Sequence, residues 1–132
     1  MSHTPRLRPL LGLAVVVPLA CGPVVRVVPL GAAPAPARAG DAPVRVFATA
    51  LPRCAFAEIA TMTVEGGGGN GTRLLEAART RTRALGGDAI VGLLQGVKPR
   101  QPGNDVLASL LTTESTVLSG TIVRFTDPAC TE

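Results

Sequence analysis

The chain has 132 residues, no Trp, no Tyr, three Phe, one His and a formal net charge of +4. That length holds one domain, and without Trp or Tyr its core must come from Val, Leu, Ile and Ala. Arg6 and Arg8 lie in the N-terminal leader, and without them the charge is about +2; the remaining basic residues form no dense cluster except Arg73, Arg79, Arg81 and Arg83, and without a continuous basic face and the aromatics that stack on single strands, nucleic acid is not an expected partner.

In chain order, the first feature is an apolar run. Arg6 and Arg8 precede Leu10–Ala20, and Cys21-Gly22 follow. A short basic segment, an apolar core and small residues at its end are the parts of a secretory signal. The arginines stay on the cytoplasmic side while the apolar core enters the bilayer. Pro18-Leu19-Ala20-Cys21 resembles the bacterial lipobox, in which the leader is cut just before a lipid-modified cysteine. The resemblance implies a signal peptide over 1–20 and an acylated N-terminus at Cys21. Each buried methylene contributes about 0.8 kcal/mol, so two or more acyl chains anchor durably. Two rival readings stand beside it. Residues 9–25 lack charge and are long enough for a marginal membrane span interrupted by Pro18. A cut after Ala37-Arg38-Ala39 would release a soluble secreted module.

Residues 21–43 read as a lipidated N-terminus and tether. The run Ala32-Ala33-Pro34-Ala35-Pro36-Ala37 has linker composition, and some 22 extended residues would span roughly 70 Å. Val24–Leu30 is too apolar for a tether; it either lies on the bilayer or packs on the domain.

The domain proper is expected over 44–132. Val44–Leu51 reads as a strand closed by Pro52, and Ala55–Val64 as a second. The period of two puts Phe56, Glu58, Ala60, Met62 and Val64 on one face. Gly66–Gly71 breaks that pattern. A helix over 72–85 follows, capped by Asn70 or Thr72. Leu74, Ala78, Thr82 and Leu85 fall on one side of it; Arg73, Glu76, Thr80 and Arg83 fall on the other, a solvated face. Gly86-Gly87 stops the helix. Asp88–Leu94 reads as a third strand and Val117–Thr126 as the last. In the poorly defined segment 95–116, Asp105–Leu111 is either a helical turn or the start of a strand. Its apolar residues Val106, Leu107, Leu110 and Leu111 can cover the sheet or meet a partner. The order ββαββ predicts an α+β fold: a small antiparallel sheet of about four strands with one helix packed on it.

If Cys21 carries lipid, Cys54 and Cys130 remain. Outside the cytoplasm such a pair is expected to form a disulfide, joining the start of one strand to the end of its antiparallel neighbour. Two free, buried cysteines are the alternative.

The chemistry-bearing motifs fail. Gly66–Gly71 fits GxGxxG literally, but Asp88 opens the next strand instead of closing it, and one helix cannot build a dinucleotide fold. The P-loop Lys is absent. The only histidine, His3, is in the leader, which removes Ser-His and Cys-His nucleophile systems. No catalytic residue, metal ligand or cofactor is therefore expected. Glu58, alternating with apolar residues, is the one possible functional carboxylate, in a carboxylate-dependent envelope hydrolase; an edge or solvent-facing strand position is the simpler explanation of it.

Cys54–Ala60, then the helix, then Ala84-Leu85-Gly86-Gly87-Asp88-Ala89-Ile90-Val91 and Ser119–Phe125 carry a further resemblance. The chain resembles a family of small bacterial envelope lipoproteins that includes the outer-membrane sensor of the Rcs stress pathway. The resemblance implies a compact α/β domain on a lipid anchor, with a sensing or structural role and an envelope protein as partner. That sensor has four cysteines in two bridges, where this chain offers Cys54 and Cys130. Gly22, in place of the Asp that retains lipoproteins in the inner membrane, implies an outer-membrane location facing the periplasm.

Overall fold

Two long strands set the frame. β3 (Phe56–Gly67) and β5 (Ser115–Phe125) run antiparallel along nearly their whole length, from Phe56 opposite Phe125 to Gly67 opposite Ser115. β4 (Ala89–Lys98) pairs antiparallel with the free side of β5. The computed structural model describes residues 22–33, 35–67, 70–98 and 114–130. The leader, Cys21 and residues 99–113, with the expected turn or strand at Asp105–Leu111, lie outside the described residues.

The fold is α+β, with α1 (Gly71–Ala84) packed on one sheet. The sheet has five strands where about four were expected, in the order β1-β3-β5-β4-β2. It is mixed, not purely antiparallel. β2 shrinks to Arg45–Phe47 and lies parallel to β4, with Val46 opposite Ile90. Parallel neighbours need a long crossover, and β3 and α1 supply it.

The fifth strand comes from the segment read as a tether. β1 (Val24–Pro29) pairs antiparallel with β3, from Val24 opposite Glu65 to Pro29 opposite Ala60. Val25 and Val27 pack on the core beneath α1, while Val24 and Val28 stay exposed. Of the two alternatives for Val24–Leu30, packing on the domain holds. The rest of the expected tether is also bound. It crosses from the β1 edge towards the β2 edge past the C-terminal end of α1. There the Arg38 N–H donates to the Arg83 carbonyl at 2.9 Å, and Arg83 Nε donates to the Ala42 carbonyl at 2.7 Å. The last carbonyls of a helix have no partner within the helix; here the Arg83 carbonyl accepts from both the Gly86 N–H and the Arg38 N–H of the strap. Gly86 makes room for it. Its φ is +73°, and a Cβ there would stand 2.7 Å from the Pro36 carbonyl oxygen and 2.8 Å from Ala35 Cβ.

Two bulges decide which side chains face which side. Glu58 lies opposite Val123, and Ala60 opposite its neighbour Ile122. The extra residue, Ile59, reverses the alternation. Phe56 and Glu58 therefore do not share a face with Ala60, Met62 and Val64, contrary to the simple period of two. In β4 the register shifts between Val91 and Leu94, and Gly92 takes φ +62°, the left-handed conformation that favours glycine at a bulge.

The larger core lies under α1. Met62, Val64, Leu74, Ala78, Ile90, Leu118 and Ile122 are buried there. Val64, Ile90 and Ile122 are fully buried, and burying such a side chain contributes about 1.5–3 kcal/mol. The helix presents the face its spacing predicts: Leu74, Ala78 and Thr82 are buried. The Thr82 hydroxyl donates to the Ala78 carbonyl at 2.9 Å. Asn70 is the N-cap, its Oδ1 accepting from the Arg73 N–H at 3.2 Å. On the other face of the sheet Ala89, Val91 and Val123 are buried against Phe47, Phe56 and Phe125. All the phenylalanines of the chain thus gather at one end of the molecule.

Candidate functional site

At the phenylalanine end the chain closes on itself through Asp88, the residue after the helix stop. Its N–H donates to the Val123 carbonyl at 2.9 Å, and its carbonyl accepts from the Arg45 N–H at 3.2 Å. Its Oδ2 accepts from the Phe125 N–H at 2.8 Å, and its Oδ1 pairs with Arg38 Nη1. One residue therefore joins the strap, β2, β4 and β5. A disulfide between Cys54 and Cys130, with Cα atoms 6.2 Å apart, ties the segments flanking β3 and β5 at the same end. The Thr126 N–H donates to the Ala55 carbonyl at 3.0 Å beside it.

A cavity of about 140 Å³ opens there, lined by Arg38, Pro43, Arg45, Asp88, Phe125 and Cys130. Arg45 Nη1 is buried with no hydrogen-bond partner. A buried donor without an acceptor costs about 1–3 kcal/mol, more when charged. Arg38 differs, since Asp88 answers it. Two guanidinium groups and one carboxylate border this cavity, a charge balance chemically suited to a small anionic or acceptor group. It contains no nucleophile with a base beside it, and both oxygens of Asp88 are engaged. No group of three or more His, Cys, Asp or Glu that could hold a metal occurs among the described residues.

Of the residues singled out from the sequence, Cys54 and Cys130 come together at this end. Cys21 lies outside the described residues. Glu58 is exposed at the β3 bulge, and it does not line this cavity. Nor does it line a smaller one of about 80 Å³ at the opposite end of the sheet, bordered by Gly22, Pro23, Gly66, Gly67, Asn70, Arg73 and Leu74. The glycine-rich segment serves the fold. Gly66 and Gly67 extend β3, and a Cβ on Gly66 would stand 2.6 Å from Leu74 Cδ2, so glycine lets α1 sit close. On the helix, Arg83 turns from the solvated face onto the strap, while Arg73, Glu76 and Thr80 remain exposed.

Sequence reasoning does not mark Arg38 or Arg45, because Asp88, which bonds the Arg38 side chain and the Arg45 backbone, is distant from both in the chain. The visible trace is a lone charge, Arg38, inside an uncharged Ala/Pro run. Asp88 after Gly86-Gly87 is the other trace, read above only as a failed ribose ligand.

No protein-family model and no curated protein matches this chain. Among solved structures it is similar to the orthorhombic crystal form of FvfA, a Francisella virulence factor. The two are 16% identical with a TM-score of 0.49, over 80% of this chain and 99% of that one. No helix of the described residues is long and apolar enough to cross a membrane.

Proposed function

We propose that the chain is a lipid-anchored envelope protein, acylated on Cys21, whose domain binds a partner or senses envelope state without catalysing a reaction. The observation that carries this reading is the leader: Arg6 and Arg8, an uncharged apolar run, then Ala20-Cys21-Gly22. The Cys54–Cys130 disulfide supports it, because such bonds persist in oxidising compartments. Following the lipoprotein resemblance, the anchor is in the outer membrane and the domain faces the periplasm. The cavity with Arg45 supports a binding role over a hydrolytic one, since Glu58 borders neither that cavity nor the smaller one at the opposite end.

Two features of the fold count against the rivals. A cut after Ala39 would remove β1 and Arg38, baring the edge of β3 and unpairing Asp88. A membrane span over 9–25 would need Val24 and Val25, which belong to β1; what remains is shorter than the roughly 20 residues a bilayer requires.

The test is the intact mass of the native protein from membrane and soluble fractions, without reducing agent. The expected species is membrane-bound, begins at an acylated Cys21, and is two hydrogens lighter for the bridge. A soluble species beginning at Gly40, or a full-length reduced chain, overturns the proposal.

A further inference from the structure

Gly22 and Pro23 alone separate Cys21 from β1. Fully extended, the chain from Cys21 to Val24 reaches about 10 Å. Val24 is already held opposite Glu65 in the sheet, and Gly22 and Pro23 border the small cavity with Gly66, Gly67, Asn70 and Arg73. A group attached to Cys21 therefore leaves the domain from one defined end. The start of β1, the end of β3, the first turn of α1 and the pairing of Lys98 with Ser115 are at that end. Asp88, the disulfide and the arginine cavity lie at the other. β5, with its 11 residues, separates the two by roughly 33 Å at 3.3 Å per residue.

We infer that the bilayer surface is the partner of the Gly22 end: the domain stands directly on the lipid headgroups, without a tether, and presents the arginine cavity away from the membrane. This orientation rests on acylation of Cys21. The surface chemistry fits it. Val24 is 54% exposed within three residues of the anchor. Arg26 and Arg73 are exposed, as is Lys98, which pairs with Glu65 at 3.7 Å. The described carboxylates nearest this end are Glu65 and Glu114, with Glu76 one turn further along α1, so no excess of negative charge opposes an anionic headgroup layer. A protein on a tether of some 70 Å would sample all orientations; one on an arm of about 10 Å cannot.

The absence of native Trp and Tyr makes a single introduced Trp a clean probe. The mature acylated chain, beginning at Cys21, is placed in phosphatidylethanolamine–phosphatidylglycerol vesicles carrying spin-labelled headgroups. Gly67→Trp reports the near end, where an added Cβ meets nothing within 4 Å, and Thr72→Trp, on an exposed helix position, is a second near probe should the first variant not fold. Asp127→Trp reports the far end. The expected result is quenching of either near probe severalfold stronger than that of Asp127→Trp. A flexible 20-residue Gly/Ser insert between Gly22 and Pro23 should abolish the difference. Equal quenching of near and far probes in an acylated chain, or stronger quenching at Asp127, overturns the orientation alone. A chain whose mass lacks the acyl groups overturns both the orientation and the reading it rests on.

Discussion

At one end of the sheet, Asp88 engages Arg38, Arg45, Val123 and Phe125, the phenylalanines pack on Ala89, Val91 and Val123, and a disulfide closes the flanking segments. At the other, Gly66, Gly67 and the glycine-bordered start of α1 meet the first residues of β1 around a small cavity, with the long Lys98–Glu65 ion pair nearby. The same two central strands run through both ends. The difference lies in what is added to them. Side-chain bonds and a disulfide between residues far apart in sequence stabilise the Asp88 end, whereas the glycine end is held by strand pairing and close backbone approach. Local stability should follow this division, since opening of a segment depends on the contacts it must break.

The largest effect should come from the bridge. Cys54 and Cys130 are 76 residues apart, and the chain-entropy model assigns about 4 kcal/mol to a loop of that size. Cys54→Ser with Cys130→Ser should lower the unfolding free energy by that order in urea titrations. Hydrogen exchange should show the loss concentrated in β2 and the 50–55 and 126–130 segments. Uniform loss along β3 and β5 would erase the contrast between the ends.

A pair of glycines sharpens the same comparison. Gly86→Ala should cost about 2 kcal/mol, because its left-handed φ and the strap carbonyl at 2.7 Å both oppose a side chain. Gly67→Ala, with open space around it and no positive φ, should change stability by about 0.5 kcal/mol or less. Thermal unfolding of the two variants side by side decides this, and equal costs would show that the strap does not press on Gly86.

The smallest effect is expected at Arg45. Replacing a polar group that lacks its partner by an apolar one of similar shape is close to neutral. Arg45→Met should therefore leave stability within about 0.5 kcal/mol or raise it. A loss above about 1.5 kcal/mol would mean that Arg45 already has an acceptor in the folded protein and is not waiting for a ligand.

The order and type of four strands and the helix are legible in the residues, because each is written in local terms. β-branched runs mark β3 and β5. Leu74, Ala78 and Thr82 recur at helical spacing, Asn70 can cap, and Gly86-Gly87 must stop. The pairing of Cys54 with Cys130 is legible once Cys21 is set aside as the lipid-bearing residue, because the antiparallel order then brings the two remaining cysteines together. Other features are not local. Val24–Pro29 looks like an odd apolar stretch in a linker until the free edge of β3 is there to pair with it. The Ala/Pro strap has the composition of a tether, and only the Arg83 carbonyl and guanidinium at the end of α1 make it part of the fold. The place of Glu58 on the far face depends on one extra residue, Ile59, whose position is set by register against β5. Periodicity and capping are properties of neighbouring residues, so the sequence by itself determined the central elements. Edge pairing, bulge position and the Arg38–Asp88 bond depend on groups brought together from distant parts of the chain, and only the tertiary structure could decide them.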